Sequence, residues 1–361
     1  MMGYVSPIIV LNVVAGSLAV VLVIANKLFA EYEDVTVDVN DGEEEFVVEG
    51  GSTLLQAFTQ NEIYIPSACG GQGSCGFCTA RVKEGGGPVL PTEEPMLTRE
   101  ELVNGVRLSC QVKVREDMKV EIEPKYLEVE KYQAEVLSTR DVTPSIKEII
   151  FDLKEPETID FKAGQYVQVQ VPADGDTVDR AYSIASEESV HEEVMLTVQL
   201  IEGGLGSTYL HELEEGEEVE FTGPFGDFYV QDTDAKIIGV AGGVGLAPLR
   251  SIVFSELEEG TDREIWLFYG SRTREDLYYH EDLHELAEEH DNFNYVPALD
   301  SSQPEWDGEV GLITEVMDDY LQEEWDMEGY LCGPPPMMDA TIDLLKDYGV
   351  DEDDILFDDF S

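Results

Sequence analysis

Basic side chains are scarce in this chain, with 21 Lys plus Arg against 78 Asp plus Glu and a formal net charge of -57. So negative a surface repels phosphate backbones, which excludes nucleic acid as a partner. Cysteine is scarce too, with five residues in 361. Four of them, Cys69, Cys75, Cys78 and Cys110, crowd one region and leave Cys332 apart. A disulfide framework does not fit that distribution, whereas a reducing compartment does. The five histidines lie in acidic, surface-like stretches and mark no metal site. No charged side chain precedes Lys27, and no repeat or low-complexity tract interrupts the sequence.

What is present is enough for several cores. Hydrophobic residues make up 43% and aromatic residues 9%, and the length suggests two or three globular units at roughly 150 residues each. The carboxylates are spread through every region after Glu31, which reads as a solvated acidic coat. Salt screens self-repulsion within such a coat, so the composition predicts a halophile with a salt-rich cytoplasm.

From Ile8 to Ala25 the sequence is almost purely apolar. At 1.5 Å per residue this run makes about 27 Å of helix, sufficient to cross the hydrocarbon slab with its flanks. A signal peptide would carry a basic n-region, which is absent here. The expectation is therefore an uncleaved anchor at residues 1–30. Lys27, on its C-terminal side, places the remaining chain in the cytoplasm as a single-pass protein of the cell membrane. The segment carries no ionisable residue before Lys27, so by itself it offers no ion path.

After the anchor, VTVDVN and EEFVVEG flank a turn at Asp41 and Gly42, the pattern of a β-hairpin, and a short helix is expected to start near Ser52. SACGGQGSCGFC then sets Cys69, Cys75 and Cys78 at C-x5-C-x2-C, with Cys110 following in RLSCQVKV. Three thiolates on a glycine-rich loop and a fourth from a distant strand can bracket two irons, while the glycines let backbone amides approach the sulfurs. A structural zinc site would show two C-x2-C pairs, and only one exists, so a [2Fe-2S] cluster is favoured. The spacing resembles β-grasp [2Fe-2S] ferredoxins, with one residue more in the first interval than the plant type.

From about Lys131 short alternating strands follow one another to Pro224, the pattern of an antiparallel barrel. RAYSIAS puts Arg180 and Tyr182 on one strand face, next to Ser183. Arginine can clamp a phosphate, tyrosine can stack on a flat ring, and serine can hydrogen-bond at the ring edge. Downstream, Gly204, Gly206 and Ser207 precede a helical stretch and would offer free amides to a diphosphate. With GPFGDF, the set resembles the flavin domain of the ferredoxin reductase superfamily, and the glycine-serine turn favours FAD over FMN.

At Lys236 a buried strand, KIIGVA, leads into GGVGLAP and a helix with Leu246, Leu249, Ile252, Val253 and Leu257 on one side. Strand, glycine turn and helix in that order form the phosphate-binding corner of a doubly wound sheet. EIWLFYGSRT and NFNYVPAL supply further strands, and YLCGPPPMMDA ends a strand at Cys332 and Gly333 before a proline-capped helix. The resemblance to the reductase superfamily implies that Gly242, Gly243 and Gly245 meet the dinucleotide and that Ser271 and Arg272 lie near its adenosine ribose. It also implies that Cys332, with Gly333, sits beside the reacting carbon, and that Phe360 in the terminal ILFDDFS covers the flavin until nicotinamide displaces it.

The expected architecture is multidomain: a transmembrane anchor (1–30), an α+β β-grasp ferredoxin (31–127), an antiparallel β-barrel for FAD (128–233) and an α/β doubly wound NAD(P)H domain (234–361). In this order the parts resemble the F-subunit family of sodium-translocating NADH:quinone oxidoreductases. That resemblance implies NADH as substrate, hydride transfer to FAD, with Ser183, Cys332 and Phe360 as the catalytic residues, single electrons to the cluster, and other subunits of a membrane redox complex as partners. Hydride transfer needs no general base, consistent with the lack of a Ser/His/Asp or paired-carboxylate signature. Two departures stand out: the loop between Gln170 and Arg180 looks shorter than the family's, and three prolines follow Cys332 and Gly333 where two are usual. Two other readings remain, a reductase feeding an oxygenase, with a dispensable first helix, and a non-catalytic electron carrier.

Overall fold

The computed structural model describes residues 33–173, 175–322 and 325–358, together with residues 11, 12, 14–18 and 21. The expected anchor lies largely outside these residues; its described positions are helical and exposed. Among the described residues no helix is long and apolar enough to cross a membrane. Two compact units emerge, one holding the chain to Ile65 and Gly71–Glu128, the other Pro66–Gly70 and Val129 onward.

In the first unit, strands β1 (Asp34–Val39) and β2 (Glu44–Glu49) form the expected antiparallel hairpin. Val35, Val37 and Val39 alternate inward from β1 and are buried, the two-residue period of a strand with one covered face. Helix α1 (Leu54–Gln60) begins at Thr53, whose side chain accepts from the Gln56 N–H while Gln56 returns a bond to the Thr53 N–H. This reciprocal cap at Thr53 puts the first helical residue, Leu54, two positions after Ser52. Leu54, Ala57 and Phe58 of α1 are fully buried. β3 (Thr79–Glu84), β4 (Val106–Leu108) and β5 (Met118–Glu121) complete a sheet of order β2-β1-β5-β3-β4, in which β1 and β5 run parallel. That late strand inserted beside the first is the β-grasp arrangement.

In the second unit six antiparallel strands follow the order β10-β7-β6-β11-β8-β9. They are β6 (Glu130–Asp141), β7 (Ile146–Glu155), β8 (Tyr166–Ala173), β9 (Asp176–Ser183), β10 (Glu193–Gln199) and β11 (Glu218–Phe225). A bridge between Ile184 and Leu196 joins the two edge strands and closes the barrel. β9 starts four residues before RAYSIAS, because residues 176–180 pair with residues 169–173 of β8, Ala173 opposite Asp176.

Beyond the barrel, a six-stranded parallel sheet runs β15-β14-β13-β12-β16-β17. Its strands are β12 (Lys236–Gly242), β13 (Ile265–Ser271), β14 (Phe293–Leu299), β15 (Glu309–Val310), β16 (Met327–Cys332) and β17 (Ile355–Asp358), flanked by α4 (Leu246–Glu259), α5 (His280–Glu289), α6 (Ile313–Tyr320) and α7 (Pro335–Asp347). The five α4 side chains expected on one face are all buried. Chain order reverses between β12 and β16, so the crevice beyond their C-terminal ends is the switch point where open α/β sheets take ligands.

Candidate functional site

The cysteine loop turns through four glycines, Gly70, Gly71, Gly73 and Gly76, all with φ between 65° and 79°. Side chains other than glycine rarely adopt this left-handed conformation, so the loop is built around backbone approach. Cys78 and Cys110 are buried, and the neighbouring Cys110 together with burial pushes the Cys78 thiol far above its usual range. Two buried thiols side by side fit a metal-bound pair. No set of three or more Cys, His, Asp or Glu among the described residues converges on a single ion. A two-iron cluster needs two cysteines per iron and thus no such set. Cys110 lies in the turn after β4, not within a strand as the sequence suggests, because β4 ends at Leu108.

Gln111 carries no signal in the sequence. Its amide Nε2 lies 3.4 Å from Cys110 Sγ, and Thr92 Oγ1 donates to its Oε1 at 3.0 Å, which orients the amide toward sulfur. A Cβ at Gly73 would fall 2.6 Å from Gln111 Nε2, so glycine there leaves the amide its place.

On the barrel, the Arg180–Tyr182 face of β9 meets the glycine turn. A Cβ added to Gly206 would stand 2.5 Å from the Tyr182 hydroxyl and 2.9 Å from Arg180 Cγ. The two motifs, some twenty residues apart in sequence, therefore form one surface. Burial raises the Tyr182 phenol to about 12, so it stays protonated at working pH. Helix α3 (Leu205–Glu212) starts from Gly204 without a side-chain cap. Ser207 is buried in that turn, and its hydroxyl accepts from the Ile201 N–H at 3.0 Å. The hydroxyl thus locks the turn, and the backbone amides remain the groups available to an anion.

Ser183 is buried and donates to Asp358 Oδ2 at 3.2 Å. Asp358 in turn lies opposite Cys332 in the parallel ladder between β17 and β16. Sequence reasoning misses Asp358; the acidic pair just before the terminal Phe360 is the available signal. Phe360 itself lies outside the described residues. Cys332 is fully buried, and a Cβ on Gly245 would sit 2.2 Å from its carbonyl oxygen. Gly242 lies against Pro334 and Gly333, and Gly243 turns with φ 56°. The glycine turn and the Cys332–Gly333 segment thereby share the switch-point crevice.

Tyr278, equally silent in the sequence, is buried behind this turn. Its hydroxyl donates to the Val244 carbonyl at 3.4 Å and lies 3.4 Å from Thr197 Oγ1 of barrel strand β10. Burial, chiefly, pushes its phenol up. Ser271 and Arg272 stand at the end of β13, where Ser271 O accepts from the Asp300 N–H at 3.0 Å and the Arg272 side chain is exposed.

The acidic coat is not uniform at these places. No Asp or Glu occurs from Ile63 to Lys83, across the cysteine loop, or from Ala235 to Ser255, across the glycine turn. Carboxylates are absent where a tetrathiolate cluster and a diphosphate, both anionic, would repel them.

A barrel with an Arg-x-Tyr-Ser strand, joined to a parallel sheet with a glycine turn and preceded by a β-grasp cysteine loop, defines a flavin- and iron-sulfur-dependent pyridine-nucleotide reductase. Family models agree: residues 37–115 match the 2Fe-2S iron-sulfur cluster binding domain, 133–229 the oxidoreductase FAD-binding domain, and 240–343 the oxidoreductase NAD-binding domain. The chain belongs to the family formed by the F subunit of the Na(+)-translocating NADH-quinone reductase. It is 37% identical to the Idiomarina loihiensis member over 95% of both chains, and 34% identical to that of Yersinia enterocolitica over 98% of both. Among solved structures, the Amycolatopsis cytochrome P450 reductase GcoB superposes with a TM-score of 0.73 at 31% identity, covering 90% of this chain and 98% of that one. The ferredoxin reductase of carbazole 1,9a-dioxygenase gives 0.70 at 27% identity, covering 91% and 99%.

Proposed function

We propose that this chain is the NADH-oxidising subunit of a membrane-bound, sodium-translocating quinone reductase complex. Its site supplies places for each participant: Cys69, Cys75, Cys78 and Cys110 for the cluster, Arg180, Tyr182, Ser183, Gly204, Gly206 and Ser207 for FAD. Gly242, Gly243, Gly245, Ser271, Arg272, Cys332 and Gly333 serve NADH. Bound FAD supplies the two-electron to one-electron conversion that lets a hydride donor feed an iron-sulfur cluster.

The residues do the positioning. Arg180 and the first-turn amides of α3 would hold a flavin diphosphate, Tyr182 would offer a flat face to the ring, and the Ser183 hydroxyl is oriented by Asp358. Gly245 and Gly333, packed closely at the Cys332 segment, would leave room for a nicotinamide there, and its alignment would set the hydride-transfer rate. Phe360, outside the described residues, would be the aromatic cover that the family resemblance implies.

The observation that carries this reading is the junction of Ser183, Asp358 and Cys332, which brings barrel and nucleotide sheet together at one point. The membrane assignment rests on Ile8–Ala25, a single span with the other domains in the cytoplasm. The Yersinia alignment takes in 98% of the chain, so it extends into that segment. A salt-rich cytoplasm suits the acidic coat.

Deleting residues 1–30 tests the reading against that of an oxygenase reductase. The truncated protein should keep NADH-driven reduction of flavin and cluster while membranes containing it lose sodium-stimulated quinone reduction. Undiminished quinone reduction would contradict the membrane assignment.

A further inference from the structure

Beside the cysteine loop the acidic coat opens onto apolar side chains. Phe77, between Cys75 and Cys78, is 48% exposed, and Met96 is 38% exposed. A Cβ on Gly76 would lie 3.7 Å from Met96 Cβ, so the cysteine loop and the Met96 segment are neighbours. Val89 and Leu90 on the same segment are exposed as well. Water-facing aromatic and methionine side chains in so charged a chain are a surface held open at a cost.

The segment is held firmly in place. Glu93 and Arg107, both buried, pair at 2.6 Å, and Arg107 also donates to the carbonyls of Gly86, Gly87 and Pro88. Glu93 accepts from the Leu90 and Leu108 N–H groups. Exposed apolar side chains on a segment fixed by a buried ion pair are preorganised, which lowers the ordering cost of association.

We propose that Phe77, Met96, Val89 and Leu90 form the docking surface for the protein that takes electrons from the cluster, and that this partner presents an apolar face without a basic patch. The inference rests on the functional reading above and names how the next redox protein is recognised. A basic partner would be drawn to carboxylates across the whole chain, yet no Asp or Glu occurs between Ile63 and Lys83, around Phe77, and between Val89 and Met96 only Glu94 is an exposed carboxylate, since Glu93 is buried against Arg107. Salt screens attraction between exposed charges beyond about 8 Å at physiological ionic strength, so close apolar contact sets the register.

Membranes carrying the full-length chain test this with Met96→Ser and Phe77→Ser, which add no charge beside the cluster, and with Val103→Ser, at an 80% exposed site of the same unit, as control. Each of the first two substitutions should lower the rate of quinone reduction by about tenfold, the usual effect of losing an interface anchor. NADH-driven bleaching of the cluster and its EPR signal should stay as in the parent, and Val103→Ser should change neither of these nor quinone reduction. Unchanged quinone reduction in both variants overturns the proposal. Slowed cluster bleaching with an intact EPR signal also overturns it, because the surface would then serve the flavin side. A parent chain that bleaches its cluster yet supports no quinone reduction instead overturns the functional reading, and the proposal with it.

Discussion

Ser183 Oγ and Asp358 Oδ2 lie 3.2 Å apart, although 175 residues separate them and they belong to different sheets. The hydroxyl sits at the barrel end of the Arg180–Tyr182 strand, and the carboxylate is ladder-paired with Cys332. Ser183→Ala should therefore slow NADH-to-flavin hydride transfer by about a hundredfold, the scale of losing one preorganised hydrogen-bond group. NADH affinity should change little, since the loss falls on the transition state. Asp358→Asn, which keeps the shape and a hydrogen-bonding oxygen, should cost less. Rapid-mixing absorbance at flavin wavelengths measures both.

Gly206→Ala places a methyl group 2.5 Å from the Tyr182 hydroxyl and pushes on Arg180. Overpacking of this kind costs about 2 kcal/mol. FAD affinity should fall roughly thirtyfold, read as flavin released during gel filtration, while the [2Fe-2S] EPR signal is unaffected.

Gln111→Leu removes the amide beside Cys110 Sγ. Hydrogen bonds to cluster sulfurs favour the reduced, more negative state, so the midpoint potential should drop. A net bond worth about 1 kcal/mol corresponds to about 40 mV for one electron. Redox titration followed by EPR reads the shift, and an unmoved potential would remove Gln111 from the cluster's surroundings.

Glu93 gives a pH dependence. Its burial alone would raise the carboxyl, but the Arg107 hydrogen bonds and the Leu90 and Leu108 N–H groups outweigh it, and the net shift is downward from 4.5. A folded value below the unfolded one means that the unfolded state binds more protons in acid. The stabilisation is present above about pH 4.5 and is lost as pH falls through the lowered folded value. Glu93→Gln should destabilise the ferredoxin unit by about 3 kcal/mol at neutral pH, because it strands Arg107. It should also flatten this acid limb in thermal melts.

Much of this architecture is legible in the sequence. Alternation in VTVDVN and in the barrel strands, the C-x5-C-x2-C loop and the strand-turn-helix at GGVG each carry a local period or a backbone requirement. What is not legible depends on contacts between distant segments. Asp358 gains its place only when β17 adds to β16, Tyr278 only when its loop folds behind Val244, and Gln111 only through Gly73 and Thr92. Ser207 is ambiguous because a serine in a glycine turn can bind an anion or its own backbone, and here the Ile201 N–H takes the hydroxyl. The segment 170–180 reads as a loop because its Asp- and Gly-containing composition hides a hairpin.

The most direct test of the central claim is anaerobic rapid mixing of the purified full-length protein with NADH, watching flavin and iron-sulfur absorbance together and freezing samples for EPR. The account predicts flavin bleaching first, cluster bleaching after it, and a one-electron [2Fe-2S] signal lost when Cys75 or Cys78 is replaced by Ser. Flavin bleaching with a cluster that stays oxidised, or protein that binds zinc at the four cysteines, would contradict it.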